Sequence, residues 1–458
     1  MDRKEFLKSI GCMAALTTLP AIPSLAKIVS SPEGDEEKLT SDDSDVDAKL
    51  NKPVTVIIIG AGSRGKIYAS YAEKFPGSMK VVGVADINEF RRDFMADKYA
   101  IPQENRMGDW SEVFRRPRFA DAVVIATPDR LHYEPYLEAI KAGYHILLEK
   151  PMAPTEKECK DIVRKALASP SVVAVCHVLR YSPYFKAMRD VIMSGKIGNV
   201  VSMQHLEPIG AVRFAHSYAR GKYGNSQTSS PIILAKSCHD LDLLYWMTGK
   251  RTKEVAAFGD LSFFRRENLP EGAGERCLEC AVEKECAYSA KRLYYDLRQR
   301  TGVFDLTGNR AERGEQILEY LRTTNYGKCA FRLDNDQCDH YTMILKFQDD
   351  TTASFSMEGM TSYNQGRITR IMGTQGDIVG DMVNFTVTDY LTGNTLKYES
   401  GIRDEHAGGD MRIVRDFVSA VSKGDKSLVS SLIQDSLESH MMGFNAEKSR
   451  KTGKLIKM

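Results

Sequence analysis

Two short stretches of this sequence carry residue types that can move protons. Glu149-Lys150-Pro151 sets a lysine beside a carboxylate at the end of a hydrophobic run, and His239 opens a second apolar stretch. A lysine ammonium can hydrogen-bond a hydroxyl and stabilise the oxyanion that forms as hydride leaves its carbon. An imidazole, with an ordinary pKa of about 6.5, can take the hydroxyl proton. Lys236 lies three residues before His239, and Asp242 three residues after it on the same helical face. A third stretch binds rather than reacts. In Gly60-Ala61-Gly62-Ser63-Arg64-Gly65, Gly60 permits a tight turn, Gly62 lets the backbone approach a pyrophosphate, and Gly65 lets a helix pack on a strand. Asp86 follows 21 residues past Gly65, where an acid meets the ribose 2′-hydroxyl and disfavours the 2′-phosphate of NADP. Arg91 and Arg92 stand close enough to soften that preference for NAD. Cys277, Cys280 and Cys286, spaced C-x2-C-x5-C, could hold a structural zinc ion if Cys329, Cys338 or a histidine completed a tetrahedron. In an oxidising compartment a disulfide is an equal contender.

The elements that must position these residues alternate along the chain. The β-branched run 54–59 reads as a buried parallel strand and 66–75 as the helix after the glycines. Strands at 81–85, 122–126, 145–148 and 172–175 take turns with helices at 131–142 and 155–168, which predicts a doubly wound parallel sheet covered on both faces. Thr127-Pro128 and Glu149-Lys150-Pro151 then sit at carboxyl ends of strands, where open α/β sheets hold ligands. Beyond a helix at 183–193, His239 begins a helix that ends at Gly249. Short β-like runs follow at 341–347, 352–357 and 384–390, with 373–380 as a turn-rich break, and then helices at 411–421 and 427–444. His406, just before the first of these helices, is a further candidate for a substrate pocket, whereas His177 reads as a structural histidine.

With 458 residues the chain is the size of two domains. Its 63 basic and 61 acidic residues leave a net charge of +2, which argues against a nucleic-acid partner. No apolar run approaches the ~20 residues that span a bilayer. Residues 1–26 read as an export signal, with Arg3, Lys4 and Lys8 before an apolar centre and Ser24-Leu25-Ala26 as a cleavage site. The string Arg3-Lys4-Glu5-Phe6-Leu7-Lys8 is similar to the twin-arginine signal, with Lys4 in place of the second arginine, and points to the periplasm. Residues 27–52 are acidic and aperiodic, as expected of a solvated linker.

Taken together, Gly60 to Gly65, Asp86, the stretch Ala126-Thr127-Pro128-Asp129-Arg130-Leu131-His132 and the triplet Glu149-Lys150-Pro151 resemble the Gfo/Idh/MocA oxidoreductases. The resemblance implies a Rossmann domain over 53–175. It implies a second α/β domain over 176–458, with a largely antiparallel sheet that mediates homo-oligomerisation, and here a cysteine-bearing insertion near 265–290. It implies NAD as cofactor and a sugar or polyol as substrate, with Lys150 catalytic and Thr127, Pro128, His132 and Glu149 around the cofactor. Arg180 and Tyr184 match segments that line substrate and cofactor, and Asp242 joins them as a substrate candidate. Where the family usually has D-x-x-x-H, His239 matches but the acid is Ala235, so Lys236 is the candidate to supply the missing polar group. Export adds one expectation: outside the cytoplasm the cofactor should stay bound between turnovers. That leaves room for a redox-neutral glycosidase or epimerase working through a keto-sugar, and for a non-catalytic nucleotide sensor.

Overall fold

The computed structural model describes residues 36–39, 46–363, 366–402 and 404–458, and the expected signal over 1–26 lies outside them. The chain enters as β1 (Glu36–Lys38), which belongs to the second of two sheets. The first sheet is built from β2 (Val54–Ile59), β3 (Met79–Ala85), β4 (Arg106–Met107), β5 (Ala122–Ile125), β6 (His145–Leu148) and β7 (Val173–Val175). All its pairs are parallel, in the order β4-β3-β2-β5-β6-β7. Val56, Ile57, Ile58 and Ile59 are fully buried, because helices cover both faces of a parallel sheet. Helix Ser63–Ala69 leaves the glycine turn, and Glu156–Leu167 starts from a Thr155 hydroxyl that accepts the Glu158 N–H.

The second sheet has ten strands, completed by β8 (Val200–Pro208), β9 (Thr252–Asp260), β10 (His340–Phe347), β11 (Thr352–Glu358), β12 (Ile368–Gly373), β13 (Gly376–Gly380), β14 (Asn384–Asp389), β15 (Thr395–Glu399) and β16 (Ile456–Lys457). Only β1–β15 and β8–β11 run parallel; the other pairs are antiparallel. Alternate residues Tyr341, Met343 and Leu345 point into a core shared with helices Pro183–Met193 and Cys238–Thr248, while Ile344 and Phe258 point out. Gly249 ends the second of these helices in the left-handed conformation expected of it (φ 66°).

Four expectations are corrected here. The run 373–380 is a hairpin, since Gly376–Gly380 pairs with both β12 and β14. Part of the expected linker is structured: Glu36–Lys38 pairs with β15, and buried Val46 accepts the Tyr71 hydroxyl at its carbonyl. The last helix is Ile433–Thr452 rather than 427–444, because Lys426–Leu428 forms a separate 3-10 turn. The cysteine-bearing insertion fills the whole connection from β9 to β10. It includes helix Arg310–Thr323, opened by an Asn309–Glu312 capping box, and a core of Leu293, Tyr294, Phe304, Ile317 and Leu321.

Candidate active site

The three glycines of the first turn do different work. Gly60 has φ +95°, and a Cβ there would lie 2.7 Å from the Ala126 backbone. A Cβ on Gly65 would meet the Gly60 carbonyl at 2.0 Å, whereas one on Gly62 would meet nothing within 4 Å. Gly62 therefore faces open space, the side on which a pyrophosphate can approach the backbone. That space is a groove of about 690 Å³ lined by Gly62, Ser63, Lys222, Tyr223 and, from the insertion, Phe304 and Asp305. The Asp86 carboxylate accepts the Ala61 N–H at 2.6 Å and the Asn88 N–H at 2.8 Å, so it pins the glycine turn from the end of β3. Arg91 is bound by Asp305 and Arg92 by its neighbour Asp93, so both guanidiniums already have carboxylate partners. The residues present fit a dinucleotide.

At the ends of β5 and β6 the two proline loops are clamped together. His132 is buried with one ring nitrogen 2.7 Å from the Pro151 carbonyl and the other 2.9 Å from that of Thr127. Pro128 leads into the short 3-10 turn Asp129–Leu131, and the Thr127 hydroxyl donates to the Leu131 carbonyl. Glu149 is 4% exposed and accepts from Arg64 and Tyr68, and Arg64 continues to Asp410. Burial raises the Glu149 carboxyl, but Arg64 and Lys150 outweigh it and hold the group below the usual range. Among the expected cofactor residues, His132 is thus bonded to backbone carbonyls, and Arg64 and Glu149 to each other and to Tyr68 and Asp410. They hold the loops around the groove in place.

Lys150, whose peptide bond to Pro151 is cis, sends Nζ to the carbonyl of Ala235 at 2.7 Å. The position where the family motif has an acid therefore meets this lysine through its backbone. Lys236 next to it is bound to Glu207 at 2.7 Å, and its amine is brought down to about 8 by burial against the pull of Glu207. His239 is 4% exposed with Nδ1 unpartnered among the described residues. Burial, then the charges of Lys150 and His406, hold its pKa well below the ordinary range, so it is a neutral imidazole. His239 stands between His406 (ring centroids 5.4 Å apart) and His177 (6.3 Å), and His177 lies 5.8 Å from His440. His406 in turn contacts Asp410 at 3.0 Å, which ties the histidine row to Arg64 and Glu149.

Beside Lys236 and His406 opens a cavity of about 190 Å³ lined also by Glu207, Arg213, Arg300 and Arg367. Glu207 and Arg367 are paired at 2.8 Å, and Arg213 meets Glu405 at 3.3 Å. Arg300 makes no hydrogen bond or ion pair among the described residues. Sequence reasoning missed Glu207, Arg300, Arg367 and Asp410, which lie on separate elements with no common spacing.

Three expected substrate residues do not reach this cavity. Arg180 and Asp242 form a buried two-pronged pair, both bonds 2.6 Å, and Arg180 also binds the Ser430 carbonyl. Asp242 also backs His177, 3.8 Å away. Tyr184 is fully buried between Phe185 and Phe385, with its hydroxyl on the Asn384 carbonyl. The zinc reading is corrected as well. Among the described residues no three His, Cys, Asp or Glu side chains are arranged to hold a single ion, and all eight described cysteines are free thiols, so the disulfide is not formed either.

Comparison with known proteins shows the family. Residues 54–177 match the model of the Gfo/Idh/MocA oxidoreductase family's NAD-binding Rossmann fold, and 189–457 match that of its C-terminal α/β domain. The chain belongs to the Gfo/Idh/MocA oxidoreductase family. Among curated relatives, YteT of Bacillus subtilis, named as an oxidoreductase, is 27% identical over 67% of this chain and 71% of its own length. The 1,5-anhydro-D-fructose reductase of Ensifer adhaerens is 29% identical over 33% of this chain and 45% of its own length. Inositol 2-dehydrogenase 2 of Paenarthrobacter aurescens is 28% identical over 44% and 58%. The chain thus spans about half the length of the latter two. A levoglucosan dehydrogenase in complex with NADH and levoglucosan superposes with a TM-score of 0.67 at 17% identity, covering 89% of this chain and 99% of that one. The scyllo-inositol dehydrogenase of Lactobacillus casei, with bound NAD(H) and scyllo-inositol, gives 0.61 at 17% identity over 89% and 99%. At that identity these structures show a shared fold. As a member of this family the chain is an NAD-binding oxidoreductase.

Proposed function

We propose that this protein oxidises a hydroxyl-bearing carbon of a sugar or polyol by hydride transfer to NAD. The observation that carries the reading is the link from Lys150 through the Ala235 carbonyl to the segment of Lys236 at the polar cavity, with neutral His239 packed on His406 of the same cavity. Bound NAD would supply the hydride acceptor, held over Gly62 and Ser63 with its ribose toward Asp86. The Lys150 ammonium polarises the reacting oxygen and stabilises it as its proton departs. His239, unprotonated and desolvated, takes that proton. Lys236, with an amine near 8, is the group able to pass it on toward the cavity. Arg300 favours a substrate that brings an anionic group, such as a sugar acid, over a neutral one. Names of the relatives support the sugar and polyol class. A panel of sugars, sugar acids and polyols, followed by NADH absorbance, tests the reading; no turnover by any would favour a nucleotide-binding sensor.

The cofactor is proposed to stay bound between turnovers. Asp305 of the insertion reaches across to Arg91 and Asn88 and walls the groove on its open side. Release of about one NAD(H) per chain on denaturation is the expected result; none would point to an exchangeable cofactor. A retained cofactor suits the export proposed from residues 1–26, and it keeps the redox-neutral glycosidase or epimerase as a second reading. Homo-oligomerisation through the outer face of the second sheet is supported by Val201, Phe258 and Ile344, which are 52%, 71% and 57% exposed there.

A further inference from the structure

The insertion between β9 and β10 sends one carboxylate back across the fold to the first domain. Both oxygens of Asp305 accept from Arg91 Nε, at 2.9 and 3.1 Å, and one accepts from Asn88 Nδ2 at 3.1 Å. These partners stand 214 and 217 residues away along the chain. Asn88 is also the joint between the end of β3 and the next helix. Its N–H donates to Asp86 at 2.8 Å, and its side chain caps helix Glu89–Lys98 by accepting the Arg91 N–H. Asp86, Asn88, Arg91 and Asp305 therefore form one connected group. The Arg91 and Asp305 side chains are 33% and 16% exposed, and both line the dinucleotide groove with Gly62 and Ser63. The carboxylate is held from behind. Its own N–H donates to the Tyr320 hydroxyl at 3.3 Å, and the ring of Phe304 stacks on Tyr320 with Tyr294 and Tyr326 edge-on. A partly buried pair fixed in this way keeps its geometry, unlike two long side chains in open solvent.

The two forms of the nicotinamide cofactor differ by one group, the phosphate on the 2′-hydroxyl of the adenosine ribose. An acid at the end of the second strand meets that hydroxyl, and an arginine nearby is what accommodates the phosphate. Arg91 is such an arginine by position, and Asp305 has taken its Nε. Its charge is thereby offset before any cofactor arrives. A 2′-phosphate brought here meets two carboxylates, Asp86 and Asp305, around one neutralised guanidinium. Arg92 on the same helix is held by Asp93. Lys66, Lys222 and Arg313 also line the groove, and their charge suits the pyrophosphate, which both forms carry. We propose that Asp305 is a specificity-determining residue, which neutralises Arg91 from the insertion and so selects NAD over NADP. The selection works by repelling the wrong ligand: a ribose hydroxyl can donate to a carboxylate, whereas a phosphate cannot. The inference rests on the dinucleotide reading of the groove and not on the substrate proposed above.

The test titrates the whole protein, freed of nucleotide, with NADH and with NADPH in the absence of substrate, following nicotinamide fluorescence. Turnover plays no part in this readout, so a failed substrate panel leaves it intact. Wild type should bind NADH the more tightly. Asp305→Asn keeps the size of the side chain and one acceptor but removes the charge, and should raise the ratio of NADPH to NADH affinity about tenfold or more. Arg91→Ala alone should move that ratio by less than about threefold, because the guanidinium is already engaged; combined with Asp305→Asn it should cancel the rise. An unchanged ratio in Asp305→Asn would overturn the assignment, as would a rise that survives the loss of Arg91. NADPH bound as tightly as NADH by wild type would overturn it too. Should Asp305→Asn fail to fold, Arg91→Ala decides the matter: a large loss of NADPH affinity there means that the guanidinium serves the phosphate in spite of Asp305, and the assignment falls.

Discussion

Replacing Lys236 by methionine is expected to make the protein more stable and less active. The lysine side chain is 12% exposed with Nζ 2.7 Å from Glu207 Oε1. Burial outweighs that attraction and brings the amine from 10.5 to about 8. Folding at neutral pH therefore carries a charged amine into a site that disfavours it by roughly 2.5 pH units, or about 3 kcal/mol as an order of magnitude. The sign follows from the folded value lying below the unfolded one. The destabilisation is complete below about pH 8, fades as pH rises toward about 10.5 and is absent above it. Methionine has a similar reach without the charge, and Glu207 retains Arg367 at 2.8 Å. Urea denaturation of both proteins on the two sides of that window measures the difference. Turnover should fall by about 10²-fold or more if the amine handles the proton. A variant less stable than wild type at neutral pH, or a stability gap that persists on the alkaline side, would refute the electrostatic reasoning. Unchanged kcat/KM would remove Lys236 from the chemistry.

Lys150→Met should lower kcat/KM about 10²- to 10³-fold while NADH still binds, as read by steady-state rates and a fluorescence titration. Asp242→Ala removes both prongs from the buried Arg180 guanidinium, which keeps Asp435 and the Ser430 carbonyl, and should destabilise by about 1–3 kcal/mol, seen as a lower urea midpoint. Gly65→Ala forces a methyl against the Gly60 carbonyl and should destabilise by about 1–3 kcal/mol; Gly62→Ala, with open space before it, should leave thermal stability alone and weaken cofactor binding. Because burial keeps His239 neutral, the acid limb of the kcat/KM profile should fall below the ordinary imidazole range; a limb near pH 6.5 would be inconsistent with that.

The first domain, with Lys150 at the end of one of its strands, is legible from the sequence alone. Strand, turn and acid follow one another within 54–86, so their spacing and residue types are local properties that a one-dimensional pattern records. The places of Lys150 and His239 in the fold are legible for a related reason: each sits at a fixed place relative to its own strand end or helix start. Whether a polar side chain is free to act was decided only in three dimensions. Arg180 and Asp242 read as substrate residues until folding brought them together as a closed pair, and Tyr184 until Phe185 and Phe385 closed around its ring. The charged cavity joins Glu207 at the end of β8, Arg300 from the insertion and Arg367 before β12, which no spacing connects. Cys329 likewise stands 43 residues beyond Cys286, and only the pairing of Arg276 with Lys328 sets it against the small cavity that Cys277, Cys280 and Cys286 line. Local propensity can specify a turn or a cap, but the partner of a buried charge is chosen by packing between segments distant in the chain.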